Sequence, residues 1–164
     1  MRLRNLFICT MAMALSVSLA GASFAQQRPA AKPAGPEPNP RTVRFGVWDN
    51  STNPNNVMTY ELDGKDGSKL TVSNPSDHSK DWSYVTFFDG KFRPVAGQKD
   101  SETAVEIIND KSIRIYNKRD GVVYQVVINT LSDDNNTINN EYIRMDKDGK
   151  ITGVTHVTYL RRKK

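Results

Sequence analysis

The chain has 164 residues, with 23 basic against 18 acidic side chains and a net charge of +5. That balance is mild and its signs are interspersed, so a basic face interleaved with aromatics, as nucleic-acid binding needs, is not expected. One cysteine, Cys9, leaves no intramolecular disulfide to stabilise the fold.

Met1-Arg2-Leu3-Arg4-Asn5 puts two positive charges ahead of an apolar run from Leu6 to Leu19, and Ala22-Ser23-Phe24-Ala25 follows. This is the layout of a secretory signal peptide over residues 1–25, cut after Ala25. The run of 14 residues is shorter than the roughly 20 that a spanning helix needs, so no transmembrane segment is expected in the mature chain. Cys9 falls early in the run, not at its far end where a lipoprotein cysteine stands. The mature chain then has no thiol nucleophile and no thiolate metal ligand, and 21 basic residues remain against 18 acidic ones, a net +3.

Residues 26–41 carry Pro29, Pro33, Pro36, Pro38 and Pro40. Prolines at this density remove backbone donors and favour extended chain, so the segment reads as a linker. Pro33-Ala34-Gly35-Pro36 also fits a P-x-x-P ligand, a pattern common by chance in such segments.

The 123 residues from 42 to 164 suffice for one domain with one core. No window holds apolar residues at helical spacing for three turns, and period-two alternation between turn residues predicts strands instead. The first runs from Thr42 to Trp48, with Val43, Phe45 and Val47 on one face. Val57 to Asp63, with Met58, Tyr60 and Leu62 aligned, turns through Asp63-Gly64-Lys65-Asp66-Gly67 into Lys69 to Ser73. Trp82 to Phe88 is apolar on both sides. Asp89-Gly90 predicts a tight turn back into a short return strand, which Pro94 marks as short or at an edge and Gly97 ends. Glu102–Ile108, Ser112–Asn117, Val122–Leu131, Thr137–Met145 and Ile151–Leu160 complete the set. In the long strand from Val122, the face Val122, Tyr124, Val126, Ile128 is the more apolar. The expected fold is all-β: an antiparallel up-and-down meander of 8–10 strands, closed into a barrel to remove exposed edges. Arg161-Arg162-Lys163-Lys164 is the one basic cluster, read as a solvated C-terminus or, alternatively, a contact with anionic envelope surfaces.

Phe88-Asp89-Gly90-Lys91-x-x-Pro94-Val95-x-Gly97, the later strand pairs and Tyr159-Leu160-Arg161 resemble a largely uncharacterised group of small exported bacterial β-barrels described as lipocalin-like. The resemblance spans about residues 57–164 and implies a lipocalin-like, calycin-type barrel and an exported, periplasmic or secreted location, without an established activity. Lipocalin-type barrels carry Gly-x-Trp on the first strand with an arginine of the last strand packed over the tryptophan. Gly46-Val47-Trp48 and Arg161 match that pair, so Gly46, Trp48, Asp89, Gly90, Pro94, Gly97 and Arg161 are read as structural. Two departures stand out: Arg93 occupies a position that is usually aromatic, and the segment after the tryptophan looks shortened.

Chemistry-bearing residues are few. His78 lies in a polar loop beside Asp77. His156 lies in the last strand with no His-x-His or His-Glu pairing, so no metal site is expected. No Gly-x-Ser-x-Gly turn is present. Asp146-x-Asp148-Gly149 and Asp63-Gly64-x-Asp66-Gly67 hint at calcium loops, but position twelve from Asp146 is Val157 and not a closing glutamate, and Asp and Gly serve hairpin turns equally well. No catalytic residue and no cofactor are expected. The strand aromatics remain. Trp82, Tyr84, Phe88, Tyr124, Tyr142 and Tyr159 either fill the core or, in a barrel that holds one small ligand, face it. Arg144 and Gln125 stand among apolar residues, placed to orient the polar end of an amphiphile or to face water. The ligand-binding set is Trp82, Tyr84, Phe88, Tyr124, Tyr142 and Arg144.

The function expected is an exported, non-enzymatic β-barrel that binds a small apolar or amphipathic ligand in the cell envelope. Alternatives are a protein-interaction or inhibitor module of the envelope, and a hydrolase or isomerase that would need a buried His156 or paired carboxylates facing a pocket.

Overall fold

A computed structural model describes residues 40–163. The signal segment and the linker up to residue 39 lie outside the described residues. Ten strands form one sheet: β1 Gly46–Asn50, β2 Val57–Asp63, β3 Gly67–Ser73, β4 Trp82–Thr86, β5 Arg93–Pro94, β6 Ser101–Ile107, β7 Ser112–Arg119, β8 Val122–Leu131, β9 Thr137–Met145 and β10 Ile151–Arg161. All pairings are antiparallel. The order β4-β3-β2-β1-β10-β9-β8-β7-β6-β5 joins the first strand to the last. Only β4 and β5 lack a ladder to each other. Two backbone bonds close that seam, Ser83 N to Ala96 O at 3.0 Å and Ala96 N to Ser83 O at 2.8 Å. The described residues form an all-β meander in a nearly closed barrel. Its one described helical element is a 3-10 turn at His78–Lys80, and among the described residues no helix is long and apolar enough to cross a membrane.

Antiparallel pairing places opposed residues on the same face, so the ladders identify the interior. Trp48 faces Met58, Met58 faces Val72 and Val72 faces Trp82. On the other wall Ile115 faces Val127 and Val127 faces Tyr142. One end of the barrel is packed. Trp48, Ile113, Leu131 and Ile138 are almost wholly buried there. The turn at residues 40–44 crosses this end and inserts Arg44, which is fully buried. Its Nε donates to Asn129 Oδ1 at 2.9 Å and its Nη2 to Lys111 O at 2.7 Å. Trp48 Nε1 donates to Arg44 O at 2.8 Å. Arg161 lies over the Trp48 ring at 4.1 Å and donates to Val43 O, Phe45 O and Asn135 O. Two arginines therefore hold the end shut, one inserted and one clamping the turn from outside.

Three sequence expectations are corrected here. The first strand starts at Gly46, not Thr42, and its buried residue is Trp48 rather than Val47. The bond from Phe45 N to Thr42 O curls residues 42–45 into a turn, because Arg44 has to reach its partners across the barrel end. From Gln125 onward the inward face of β8 is the opposite of the more apolar one, while the bulge opposite Asn117 and Lys118 leaves Tyr124 in the interior lining. Gln125, Val127, Asn129 and Leu131 point in, following the registers to Arg144, Tyr142, Asn140 and Ile138, while Val122 is exposed. The interior tolerates Asn129 because its carboxamide is hydrogen-bonded on both sides. Finally, Asp89-Gly90 is not a hairpin turn between paired strands. β4 stops at Thr86, whose hydroxyl accepts from Phe88 N at 2.9 Å, and Phe88 takes a positive φ of 56°. The chain then crosses the seam: Asp89 bridges Glu106 on β6, and Gly90 N donates to Val105 O. Asp89 also holds Arg93, Nη1 to Oδ1 at 2.7 Å and Nη2 to Oδ2 at 2.9 Å. Arg93, where an aromatic is usual, thus ties the crossover to its own aspartate and covers Phe87 at 4.8 Å. Pro94 sits in the terminal strand β5, where a missing N–H costs no ladder bond. Gly97, with φ +82°, passes so close to Asp81 O that a Cβ would stand 2.4 Å away.

Candidate functional site

Beyond the packed end the barrel is hollow. A cavity of about 330 Å³ lies between the walls, in the size range of small-molecule sites. Exposure rises along β9 and β10 toward one end. On β9, Ile138 and Asn140 are buried, Tyr142 is half-buried and Arg144 exposed; on β10, Tyr159 is buried, Val157 half-buried and Thr155 exposed. The mouth is therefore at the Arg144–Thr155 end. The connection between β1 and β2 at that end is only residues 51–56, a polar loop with Pro54 and no helix.

Met58, Leu70, Val72, Ile115, Val127 and Val157 supply the apolar wall, and Tyr60, Tyr84, Tyr142, Tyr159, Asn140 and Gln125 the polar one. Burial pushes the Tyr60 phenol up to about 12 and raises Tyr84 and Tyr159 as well, so all three stay neutral hydroxyls at neutral pH. Tyr60 Oη is buried with no hydrogen-bond partner among the described residues.

A hydrogen-bond relay connects the packed end to this wall. Because an arginine Nε only donates, Asn129 must turn its oxygen to Arg44 and its amide outward. That amide donates to Asn140 Oδ1 at 2.8 Å, and Asn140 Nδ2 donates to Tyr142 Oη at 3.0 Å. Tyr159 Oη donates to Asn56 Oδ1 at the mouth at 3.1 Å. Burial also lowers the Arg44 pKa, yet its carbonyl and amide partners still suit a cation.

Of the sequence-derived ligand set, Trp82, Tyr84, Tyr124, Tyr142 and Arg144 line the cavity. Trp82 and Tyr84 stack at 6.3 Å between centroids. Phe88 is not in the lining; it is buried in the core at the seam crossover. Gly46, Trp48 and Arg161 meet at the packed end, and Asp89, Gly90, Pro94 and Gly97 lie in the segments that cross or flank the seam between β4 and β5. Sequence reasoning missed Arg44 and Asn140. Neither carries a local signal, since Arg44 acts on a residue 85 positions away. Asn140 is legible only once the β8–β9 register is known.

Among the described residues, neither the buried His156 nor the paired carboxylates that a hydrolase or isomerase reading requires are found at the cavity. His156 is exposed and faces Glu141 on the outer surface at 3.3 Å. His78 is exposed and paired with Asp81 at 2.9 Å. Glu102 is the one carboxylate in the cavity lining, and Lys118 holds it at 2.5 Å.

No protein-family model matches the sequence, and no curated protein matches it significantly. Solved structures do match the fold. A Schistosoma mansoni fatty acid binding protein, determined in complex with arachidonic acid, superposes with a TM-score of 0.56 at 11% identity, covering 76% of this chain and 100% of that one. The fluorescent protein UnaG superposes with a TM-score of 0.51 at 12% identity, covering 72% of this chain and 96% of that one. The fold is a calycin-type barrel of the fatty-acid-binding-protein kind.

Proposed function

We propose that this protein is a non-enzymatic binding barrel, exported to the cell envelope, that holds one small apolar or amphipathic molecule inside its strands. The observation that carries this reading is the hollow interior. A core built only for stability would fill with side chains at close-packed density, whereas here the closed wall leaves about 330 Å³ open at one end. The lining suits an amphiphile, since apolar groups on β2, β3, β7, β8 and β10 alternate with neutral hydroxyls and carboxamides on β2, β4, β8, β9 and β10. The barrels that share the fold include one determined with a fatty acid bound, which supports the same class of ligand here. Export rests on the two leading arginines, the apolar run from Leu6 to Leu19 and the Ala-Ser-Phe-Ala site.

Incubating the purified mature protein with an envelope lipid extract, and weighing the complex by native mass spectrometry, tests the binding. One adduct per chain is expected, and a protein that stays empty would overturn the reading. N-terminal sequencing of the protein recovered from the producing cell tests export, with Gln26 expected as the first residue.

A further inference from the structure

Charge in the cavity lining is confined to three side chains: Glu102, Lys118 and Arg144. The first two neutralise each other at 2.5 Å, and Lys118 also rests over the Phe92 ring at 4.3 Å. Arg144 makes no hydrogen bond or ion pair with any described residue. It stands at the mouth on β9, directly opposite Gln125 on β8 and on the same face as Tyr142. Gln125 Oε1 already accepts from Asn117 Nδ2 at 2.9 Å, which turns its own amide hydrogens to the remaining space beside Arg144. The deep end offers the reverse. Its inserted cation, Arg44, is fully buried behind the cavity with its donors committed to Asn129, Lys111 O and Pro40 O, and Arg161 is committed to Val43 O, Phe45 O and Asn135 O outside it. The groups that do face the deep cavity are neutral, and an anion placed there would exchange its hydration for neutral donors such as the Tyr60 hydroxyl, with no cation to pair with.

Resting on the reading of the barrel as a ligand carrier, we infer that its ligand is an anionic amphiphile held head outward. Arg144 and Gln125 take the acidic head at the mouth, and the apolar tail runs inward past Val72 and Val127 toward Tyr60. A guanidinium beside a carboxamide supplies several N–H donors to one acceptor-rich group, the geometry that suits a carboxylate. A head inserted first would leave its charge among hydroxyls and the Arg144 guanidinium unused.

Titration calorimetry of the mature protein with dodecanoate, dodecanol and dodecylamine, each below its micelle concentration, separates the possibilities. Dodecanoate is expected to bind at least tenfold more tightly than dodecanol, and dodecylamine more weakly than either. Arg144→Gln should remove most of the lead of dodecanoate and leave dodecanol unchanged, while Arg114→Gln on the outer face should change neither. Arg144 is exposed, so its replacement does not endanger the fold, and a circular dichroism spectrum identical to wild type checks that. Binding of all three probes with equal affinity, or a preference for dodecanoate that survives Arg144→Gln, would overturn the head-outward site while leaving the carrier reading intact. Failure of every probe to bind would overturn both.

Discussion

The Cβ of any residue other than glycine at position 46 would stand 3.1 Å from Nη1 of Arg161, at a backbone φ of +130°. Gly46 is thus the space through which Arg161 reaches Phe45 O and Val43 O and settles on the Trp48 ring. The three residues close one end of the barrel as a unit. Gly46→Ala combines strain with a displaced guanidinium and should cost about 1–3 kcal/mol. Arg161→Lys keeps the charge but loses the planar fork that spans three carbonyls, and should cost about 2–4 kcal/mol. Urea unfolding of the two variants and of their combination checks this. Because both act on one contact, the double variant should fall short of the sum.

Arg44 and Asn129 allow a second cycle. Asn129→Leu leaves a buried guanidinium without its carboxamide partner and should destabilise by about 3–5 kcal/mol. Arg44→Met removes the charge but leaves Lys111 O and the Asn129 oxygen unmet. The pair Arg44→Met with Asn129→Leu replaces both members by apolar groups, and should recover a substantial part of the Asn129→Leu loss. Denaturant midpoints of the four proteins measure the coupling, and strict additivity would contradict the relay.

Tyr60 Oη is buried without a partner among the described residues. Removing such a hydroxyl while keeping the ring is nearly neutral or stabilising. Tyr60→Phe should therefore unfold at the same or a higher denaturant concentration than wild type, within about 1 kcal/mol.

Buried tyrosines set an alkaline limit. Burial raises the phenols of Tyr60, Tyr84 and Tyr159 above the ordinary value of 10.0. In the unfolded chain these groups ionise near pH 10 while in the fold they keep their protons, so the folded state binds more protons above that pH. Their contribution is complete below pH 10 and is lost as pH rises through the folded values. Each should remove about 1.4 kcal/mol per pH unit within that window. The tyrosinate absorbance of Tyr60, Tyr84 and Tyr159 should therefore appear together with unfolding. Smooth titration of all six tyrosines before unfolding would contradict the burial.

The strand rhythm from Val57 onward was legible because turn glycines and aspartates punctuate it. β8 spans the expected residues, and the Asp63–Gly67 hairpin pairs Asp63 with Gly67. Gly46, Trp48 and Arg161 were readable as a group through the lipocalin-like pattern. Facing was harder. Apolar alternation misassigned β8, since its inward Gln125 and Asn129 are polar residues bonded to residues on other strands. The crossover at residues 86–91 was hidden for a related reason. Asp89-Gly90 has turn composition wherever it stands, and only the Thr86 hydroxyl and the β6 backbone decide that it spans a seam. Arg44 shows the limit most clearly. Within the linker-proximal run it looks like one more solvated charge, and its burial depends on partners contributed by β8 and by the turn before β7.

The hollow interior is the centre of the account, and blocking it is the most direct test. Val157 lines the cavity on β10 and is half-buried, so Val157→Trp directs an indole into open space rather than into packed core. Native mass spectrometry of wild type and Val157→Trp, each after incubation with the same lipid extract, should show one small-molecule adduct on wild type and none on the variant. An adduct of equal mass and occupancy on both proteins would place the ligand outside the barrel and contradict the account.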